Sequence, residues 1–328
     1  MLSFSGGVPM YRSLATLRKA SAARALSAPL ADAVGPRLFP EAVLEGVRQR
    51  NAFLDWLFYD VGSLTDSEAR DVSPWLAAEG AILIVPPSGV QPLTRCASIN
   101  AFIDAGGTSI RTIVVAGVGS SALGSAALAR NVADAMDAPV AAVVSGYGLA
   151  DVAAEALGGF FWFGGINSVR HSFEWLDRLR ESGLIADPST SGAAIVTSPT
   201  TQSKDTRTVQ ALLAHPALSF DLLVGHSKGN LVLSEALFTL EQADGARTRE
   251  LGDRLRIVTL SAKITMPRAF RLVVDVLGQF DGFGTFNSRA AIPTDVVVPN
   301  AGHHTNTELP WHLPVASVLR ELRERGVL

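Results

Sequence analysis

The sequence has very little of what several protein classes require. Cys96 is the only cysteine among 328 residues, which excludes an internal disulfide framework and a zinc site built on cysteines. No run of about 18 uncharged apolar residues occurs, so we expect no integral membrane segment. The lack of disulfides suits a reducing compartment, and a cytoplasmic location is expected.

Charge is also scarce and nearly balanced. Charged residues make up 18% of the chain, and 28 Lys and Arg face 31 Asp and Glu, for a net charge of −3. Proteins that bind nucleic acid through its phosphates are usually strongly basic, so no nucleic-acid partner is expected. Apolar residues make up 48% of the chain, enough for a large core. No metal-binding motif is present, and no cofactor is expected.

The beginning of the chain differs from the rest. No acidic residue precedes Asp32, whereas Arg12, Arg18, Lys19 and Arg24 are basic. This composition is typical of an organelle transit peptide, which is the alternative to a cytoplasmic location. Residues 1–75 are predicted to form an N-terminal helical arm, because apolar residues recur at helical spacing over 41–58.

Residues 76–328 are predicted to form one α/β domain. Short runs that are apolar throughout alternate with helical segments, which favours a mostly parallel, doubly wound sheet covered on both faces. A long interval at about 146–219 separates two of the runs and is predicted to be a cap or lid, with an ordinary crossover connection as the alternative. The predicted strands are 81–85, 110–116, 139–144, 220–224, 256–260, 272–277 and 295–298.

The most informative motif is a Gly-x-Ser-x-Gly segment between a predicted strand and a predicted helix. It reads Gly225-His226-Ser227-Lys228-Gly229. A serine at the tip of such a sharp turn projects its hydroxyl above the sheet, and the flanking glycines avoid clashes with neighbouring elements. We therefore predict that Ser227 is a nucleophile and that the amide of Lys228 stabilises an oxyanion. A tight turn without chemistry is the alternative.

This segment resembles the nucleophile elbow of the α/β-hydrolase superfamily, and it is similar to the elbows of lipase- and esterase-like serine hydrolases. The resemblance spans roughly residues 81–314. It implies the chain order serine, acid, histidine, with the histidine in the loop after the last strand. His303 and His304 both lie there; the Ala-Gly-His form favours His303, but His304 stays open. Asp281 is the expected acid, since Asp275 lies inside an apolar run and Asp295 begins a strand.

A glycine loop supports two interpretations. Gly117-Val118-Gly119 follows a predicted strand, and with Ala122 it matches the G-x-G-x-x-A fingerprint of dinucleotide-binding proteins. The next strand ends at Ser145-Gly146 without an acid to hold a ribose hydroxyl. In the hydrolase resemblance, the same loop supplies a second oxyanion donor, here the amide of Val118. A nucleotide-dependent oxidoreductase is therefore the main alternative, and a catalytically inactive α/β scaffold is another.

Together these features predict a serine hydrolase that cleaves carboxylic esters through a Ser-His-Asp triad and an acyl-enzyme intermediate. The aromatic run 160–163 and Trp175 favour an apolar acyl, lipid or polyester-type substrate, either a small molecule or a polymer. A core role for those rings is equally consistent with the sequence. The leaving alcohol, the oligomeric state and the role of residues 1–75 are not determined by the sequence.

Overall fold

The fold is of the α/β class and is built on one β-sheet. The computed structural model describes residues 54–72, 79–117, 120–145, 203–286, 288–289 and 291–328. Its eight strands lie in the order β2-β1-β4-β3-β5-β6-β7-β8. They are β1 Ile82–Val85, β2 Thr94–Cys96, β3 Thr112–Val115, β4 Val140–Val143, β5 Leu222–His226, β6 Arg256–Leu260, β7 Val273–Gly278 and β8 Val296–Val298.

All seven predicted strands are present, with bounds that differ by at most two residues from the predicted ones. The mostly parallel sheet is confirmed: β1 pairs antiparallel with both of its neighbours, and the other strand pairs are parallel. The eighth strand, β2, was missed. It has only three residues, of which Thr94 and Arg95 are exposed and Cys96 is buried, so it carries no apolar run.

Helices cover both faces of this sheet. They are α1 Asp66–Val72, α2 Ile99–Asp104, α3 Ala122–Met136, α4 Lys204–Ala214, α5 Lys228–Ala243, α6 Gly245–Gly252, α7 Gly282–Phe286 and α8 Val315–Glu324. Residues 54–58 are helical as well, and 3-10 turns occupy Val61–Ser63 and Gly107–Ser109. Most of the predicted cap lies outside the described residues, which resume at 203, directly before α4.

Two apolar cores lie on opposite faces of the sheet, because successive side chains of a strand point to opposite sides. Val114 and Val224 pack in one core with residues of α3 and α8. Ile113 and Leu223, their neighbours in the sequence, pack in the other core with residues of α4 and α5. Both faces of the central strands are therefore buried, which explains why these strands are apolar throughout.

The described part of the predicted N-terminal arm packs against the sheet. Tyr59, Val61, Leu64 and Val72 belong to the same core as α3 and α8. A helix was predicted over 41–58. Its residues 54–58 are helical in the structure, and its residues 41–53 lie outside the described part of the chain. The division of the chain at about residue 75 stays a prediction.

Candidate active site

The predicted site residues lie at one edge of the sheet. Ser227 follows β5, Asp281 follows β7 and His303 lies in the loop after β8. Because β5 to β8 run parallel, their carboxyl ends meet at the same edge, where open α/β proteins bind ligands. Side chains far apart in the sequence can therefore meet there.

Ser227 has a strained backbone. Its φ of 53° and ψ of −121° are uncommon for a residue with a side chain. Neighbouring hydrogen bonds hold this conformation, since the Ser227 amide donates to the carbonyl of Leu260 at 2.8 Å and its carbonyl accepts from Asn230 at 3.1 Å. Gly229 allows the close approach of α5 to β3, because a Cβ there would lie 2.8 Å from the carbonyl oxygen of Ala116. Strain of this kind is concentrated at functional sites.

The structure brings Ser227, His303 and Asp281 into one hydrogen-bonded row. The imidazole Nε2 of His303 lies 3.2 Å from the hydroxyl oxygen of Ser227. The Nδ1 of the same ring lies 2.9 and 3.1 Å from the two carboxylate oxygens of Asp281. The Nδ1 proton is donated to the carboxylate, so Nε2 presents its lone pair to the serine hydroxyl. This arrangement can accept a proton from Ser227.

The Asp281 carboxyl is 1% exposed, and its surroundings favour the ionised form. Burial alone would raise its pKa, but hydrogen bonds from His303, Gly284 and Ser261 and the field of His303 bring the pKa below its usual range. The Gly284 amide donates to the carboxylate at 2.5 Å. Asp281 is therefore ionised near neutral pH and can stabilise a protonated imidazole.

The two adjacent histidines have different surroundings. The imidazole of His303 packs edge-on against Phe283, with ring centroids 4.6 Å apart. His304 instead points to the carbonyl of Pro310, 3.1 Å from its Nε2, and burial lowers its pKa. The geometry therefore places His303, and not His304, in hydrogen-bond contact with Ser227.

Of the two predicted oxyanion donors, the amide of Lys228 lies within the described residues and the amide of Val118 does not. Lys228 is the first residue of α5, so its amide belongs to the positive end of that helix, directly after Ser227. The amide of Gly117, one residue before Val118, donates to the hydroxyl of Tyr59 at 2.7 Å.

The start of α3, after the glycine loop, contains a buried carboxylate. Asp55 is 0% exposed, and its two carboxylate oxygens accept hydrogen bonds from the amide of Ser121 at 2.9 Å and from its hydroxyl at 2.5 Å. Gly124 leaves room for this carboxylate, since a Cβ there would lie 2.5 Å from Oδ1 of Asp55. A negative group therefore already sits at the helix end where a phosphate would bind in a nucleotide site.

Three buried residues around the site, namely Asp55, Tyr59 and His226, were not predicted from the sequence. Asp55 left a weak signal, as a single acid between apolar residues on both sides. His226 directly precedes the serine in a turn, where neighbouring side chains diverge, and its side chain is 1% exposed beneath the site. Tyr59 carried no motif.

A cavity of about 670 Å³ among the described residues is lined by Ile264, Met266, Asp275 and Arg289 among others. It lies apart from the row of Ser227, His303 and Asp281, none of which lines it. In this part of the chain, no group of three or more His, Cys, Asp or Glu side chains is placed to hold a metal ion.

Comparisons with known proteins found no relative of this chain. No protein-family model matches it, and neither a curated protein nor a solved structure does so. Within the described ranges, no helix has both the length and the apolar character needed to cross a membrane.

Proposed function

We propose that the protein is a serine hydrolase of the α/β-hydrolase fold that cleaves carboxylic esters. The observation that carries the proposal is the row formed by Ser227, His303 and Asp281, with the hydroxyl oxygen 3.2 Å from Nε2 and Nδ1 2.9 Å from the carboxylate. The left-handed φ of Ser227 supports it, since a nucleophile elbow requires a strained turn between a strand and a helix. The chain order serine, acid, histidine is that of the hydrolase resemblance.

The reaction has two half-reactions. His303 Nε2 takes the proton of Ser227 while the hydroxyl oxygen attacks the ester carbonyl, and Asp281 stabilises the resulting imidazolium. Collapse of the tetrahedral intermediate breaks the bond to the alcohol, which leaves with the proton held by His303. Water then loses a proton to His303, attacks the acyl-serine ester and releases the acid, and Ser227 regains its proton.

The oxyanion of each tetrahedral intermediate needs hydrogen-bond donors. We assign this role to the amides of Lys228 and Val118, and the Lys228 amide is supported by its place in the first turn of α5. The Gly117 amide is engaged by Tyr59, which leaves the donor of this loop to a later residue.

An apolar substrate is supported by an aromatic pair beside the triad. Phe280 and Trp311 are 55% and 64% exposed, and their ring centroids lie 6.4 Å apart. Phe280 directly precedes Asp281, and the carbonyl of Trp311 accepts a hydrogen bond from Gly302, next to His303. An apolar acyl, lipid or polyester-type ester suits such a rim, and p-nitrophenyl esters of increasing chain length test this preference. The aromatic run 160–163 and Trp175 lie outside the described residues.

The alternative of a nucleotide-dependent oxidoreductase has weaker support. The Asp55 carboxylate occupies the end of α3 that a pyrophosphate would need, and two like charges at one buried helix end repel each other. An inactive scaffold is distinguished from the hydrolase by the labelling experiment below.

Replacement of the nucleophile tests the proposal. Ser227→Ala is expected to abolish covalent labelling by a fluorophosphonate probe and to lower kcat by at least about 10³-fold, because no hydroxyl remains to form the acyl-enzyme. Ser234→Ala is a matched control, since this serine is also buried on α5 but donates to the carbonyl of Thr265 at 2.7 Å. Labelling that persists in Ser227→Ala, or that is absent from the wild-type protein, would contradict the proposal.

A further inference from the structure

Tyr59 connects the glycine loop to the elbow through its hydroxyl. The residue is 0% exposed, and its oxygen accepts a hydrogen bond from the Gly117 amide at 2.7 Å. The same oxygen lies 3.3 Å from Nδ1 of His226, and the two rings meet edge-on with centroids 5.6 Å apart. Nε2 of His226 faces the His303 carbonyl, which can only accept, so the neutral ring carries its proton there and Nδ1 accepts the proton of the Tyr59 hydroxyl.

His226 in turn contacts the backbone of His303, the proposed base. With Nδ1 as the acceptor, the ring proton lies on Nε2, which donates to the backbone carbonyl of His303 at 2.9 Å. Burial, together with the field of His303, lowers the pKa of His226 to about 3, so the ring is neutral at physiological pH. One tautomer of His226 therefore satisfies both contacts at once.

The chain next to Tyr59 also holds the loop that carries His303. The carbonyl of Phe58 accepts from the amide of Thr305 at 2.8 Å and from its hydroxyl at 3.0 Å. The side-chain amide of Asn306 donates to the carbonyl of Trp56 at 2.5 Å. This loop is therefore fixed from two sides, by His226 beneath the triad and by residues 56–58 beside it.

We propose that Tyr59 and His226 are positioning residues that set the distance between His303 and Ser227 through a buried relay. The relay consists of the Gly117 amide, the Tyr59 hydroxyl, the His226 imidazole and the His303 carbonyl, and its assignment rests on the proposed serine hydrolase function. The His303 backbone is held by the residue directly before the nucleophile, so movement of the elbow carries the base with it. A small displacement between reacting groups lowers the reaction rate strongly, so a relay that fixes their distance supports catalysis.

Removal of the Tyr59 hydroxyl is the first test. Tyr59→Phe keeps the ring but leaves the Gly117 amide and Nδ1 of His226 without their partner, and kcat is expected to fall by roughly tenfold. KM is expected to stay within about twofold, because Tyr59 and His226 are buried and neither is placed to bind substrate. Initial rates with a p-nitrophenyl ester, normalised to the number of sites labelled by fluorophosphonate, give both constants.

Two variants of His226 separate positioning from a purely structural role. The side-chain amide of Gln reaches the position of Nε2 and can still donate to the His303 carbonyl, whereas the shorter Asn amide reaches only the position of Nδ1. His226→Gln is therefore expected to keep kcat within about threefold of wild type, and His226→Asn to lose roughly tenfold. Thermal unfolding of both variants shows whether they are folded.

Equal kcat per labelled site in the two His226 variants, or an unchanged kcat in Tyr59→Phe, would overturn the proposed relay.

An NMR measurement tests the positioning of His303 independently of activity. The low-field proton resonance of the His303 Nδ1–H that is shared with Asp281 is expected to keep its position in His226→Gln and to shift in His226→Asn, and the opposite pattern contradicts the proposal. A wild-type protein that fluorophosphonate does not label would refute the hydrolase assignment, and the NMR result would then decide the positioning by itself.

Discussion

At the scale of single residues, two aspartates, one inside β7 and one just after it, show how surroundings set the charge of a carboxyl group. Asp275 lies within the strand, and burial raises the pKa of its carboxyl to about 6. Asp281 lies just beyond the strand and is buried as well, but hydrogen bonds from His303 and Gly284 bring its pKa below the usual range. The difference comes from the partners rather than from burial, and only Asp281 can balance a positive imidazole.

Replacement of this carboxylate by an amide is expected to damage catalysis. Asp281→Asn removes the charge that stabilises protonated His303 and no longer fixes the proton on Nδ1, so kcat should fall by roughly 10³- to 10⁴-fold. Asp275→Asn is the matched control and should keep kcat near the wild-type value, because its carboxyl accepts from Thr259 and does not touch the triad. Steady-state kinetics on an ester decide the matter, and near-wild-type turnover in Asp281→Asn would remove this residue from the triad.

At the scale of elements, the site depends on how closely α5 approaches β3. Gly229 lies in the first turn of α5, and a Cβ there would press on the backbone carbonyls of Val115 and Ala116. Gly225 is restricted in the same way, since a Cβ there would lie 2.9 Å from the side chain of Leu233. The elbow therefore needs glycine on both sides of the serine for space, and neither glycine has a positive φ.

Gly229→Ala is expected to destabilise the protein by about 2 kcal/mol, because the new methyl group forces α5 away from β3. Gly245→Ala is the control, since a Cβ at this first residue of α6 meets nothing within 4 Å. There the change should be neutral or stabilise by up to about 1 kcal/mol, because alanine favours helix. Urea unfolding measures both free energies, and equal effects of the two substitutions would show that crowding at Gly229 is unimportant.

At the scale of the whole molecule, a buried ion pair joins the N-terminal part of the described chain to the sheet layers. Arg130 of α3 and Glu68 of α1 are 2% and 3% exposed and form a salt bridge. Glu68 also accepts hydrogen bonds from Thr65 and Leu93, and Arg130 donates to the carbonyl of Pro87 at 3.0 Å. These contacts hold α1 against α3, the helix that begins beside Asp55 and the glycine loop.

Glu68→Gln is expected to destabilise the protein by about 3 kcal/mol at neutral pH, because it leaves the buried Arg130 without a counter-charge. Burial would raise the pKa of Glu68, but the hydrogen bonds from Thr65 and the charge of Arg130 lower it overall. The carboxylate thus stabilises the fold fully above its ordinary pKa of 4.5, and this contribution is lost as the pH falls through the lower folded-state pKa. The difference between Glu68→Gln and wild type should shrink over that acid range.

Urea unfolding at several pH values gives these free energies. Glu321→Gln provides the comparison, because Glu321 of α8 pairs with Arg325 just after that helix, where both side chains are mostly exposed, and such pairs contribute little. A loss in Glu68→Gln no larger than in Glu321→Gln would show that the buried pair does not support the fold.

The sequence by itself determined the features that are encoded locally. A strand buried on both faces is a continuous apolar run, so seven strands could be placed to within two residues. The turn around Ser227 is encoded in five consecutive residues, because the serine with its strained backbone and the glycine on either side of it all lie in that short stretch. The loops that carry Asp281 and His303 were expected from the chain order serine, acid, histidine that the hydrolase resemblance implies.

Only the tertiary structure showed which of His303 and His304 contacts Ser227, and only it placed Asp55, Tyr59 and His226 around the site. Tyr59 and His226 are 167 residues apart in the sequence, and His226 and the carbonyl of His303 are 77 residues apart. Contacts over such distances leave no periodicity or motif in the chain. They exist because the sheet brings the ends of its strands to one edge, where polar groups removed from water must find partners in each other.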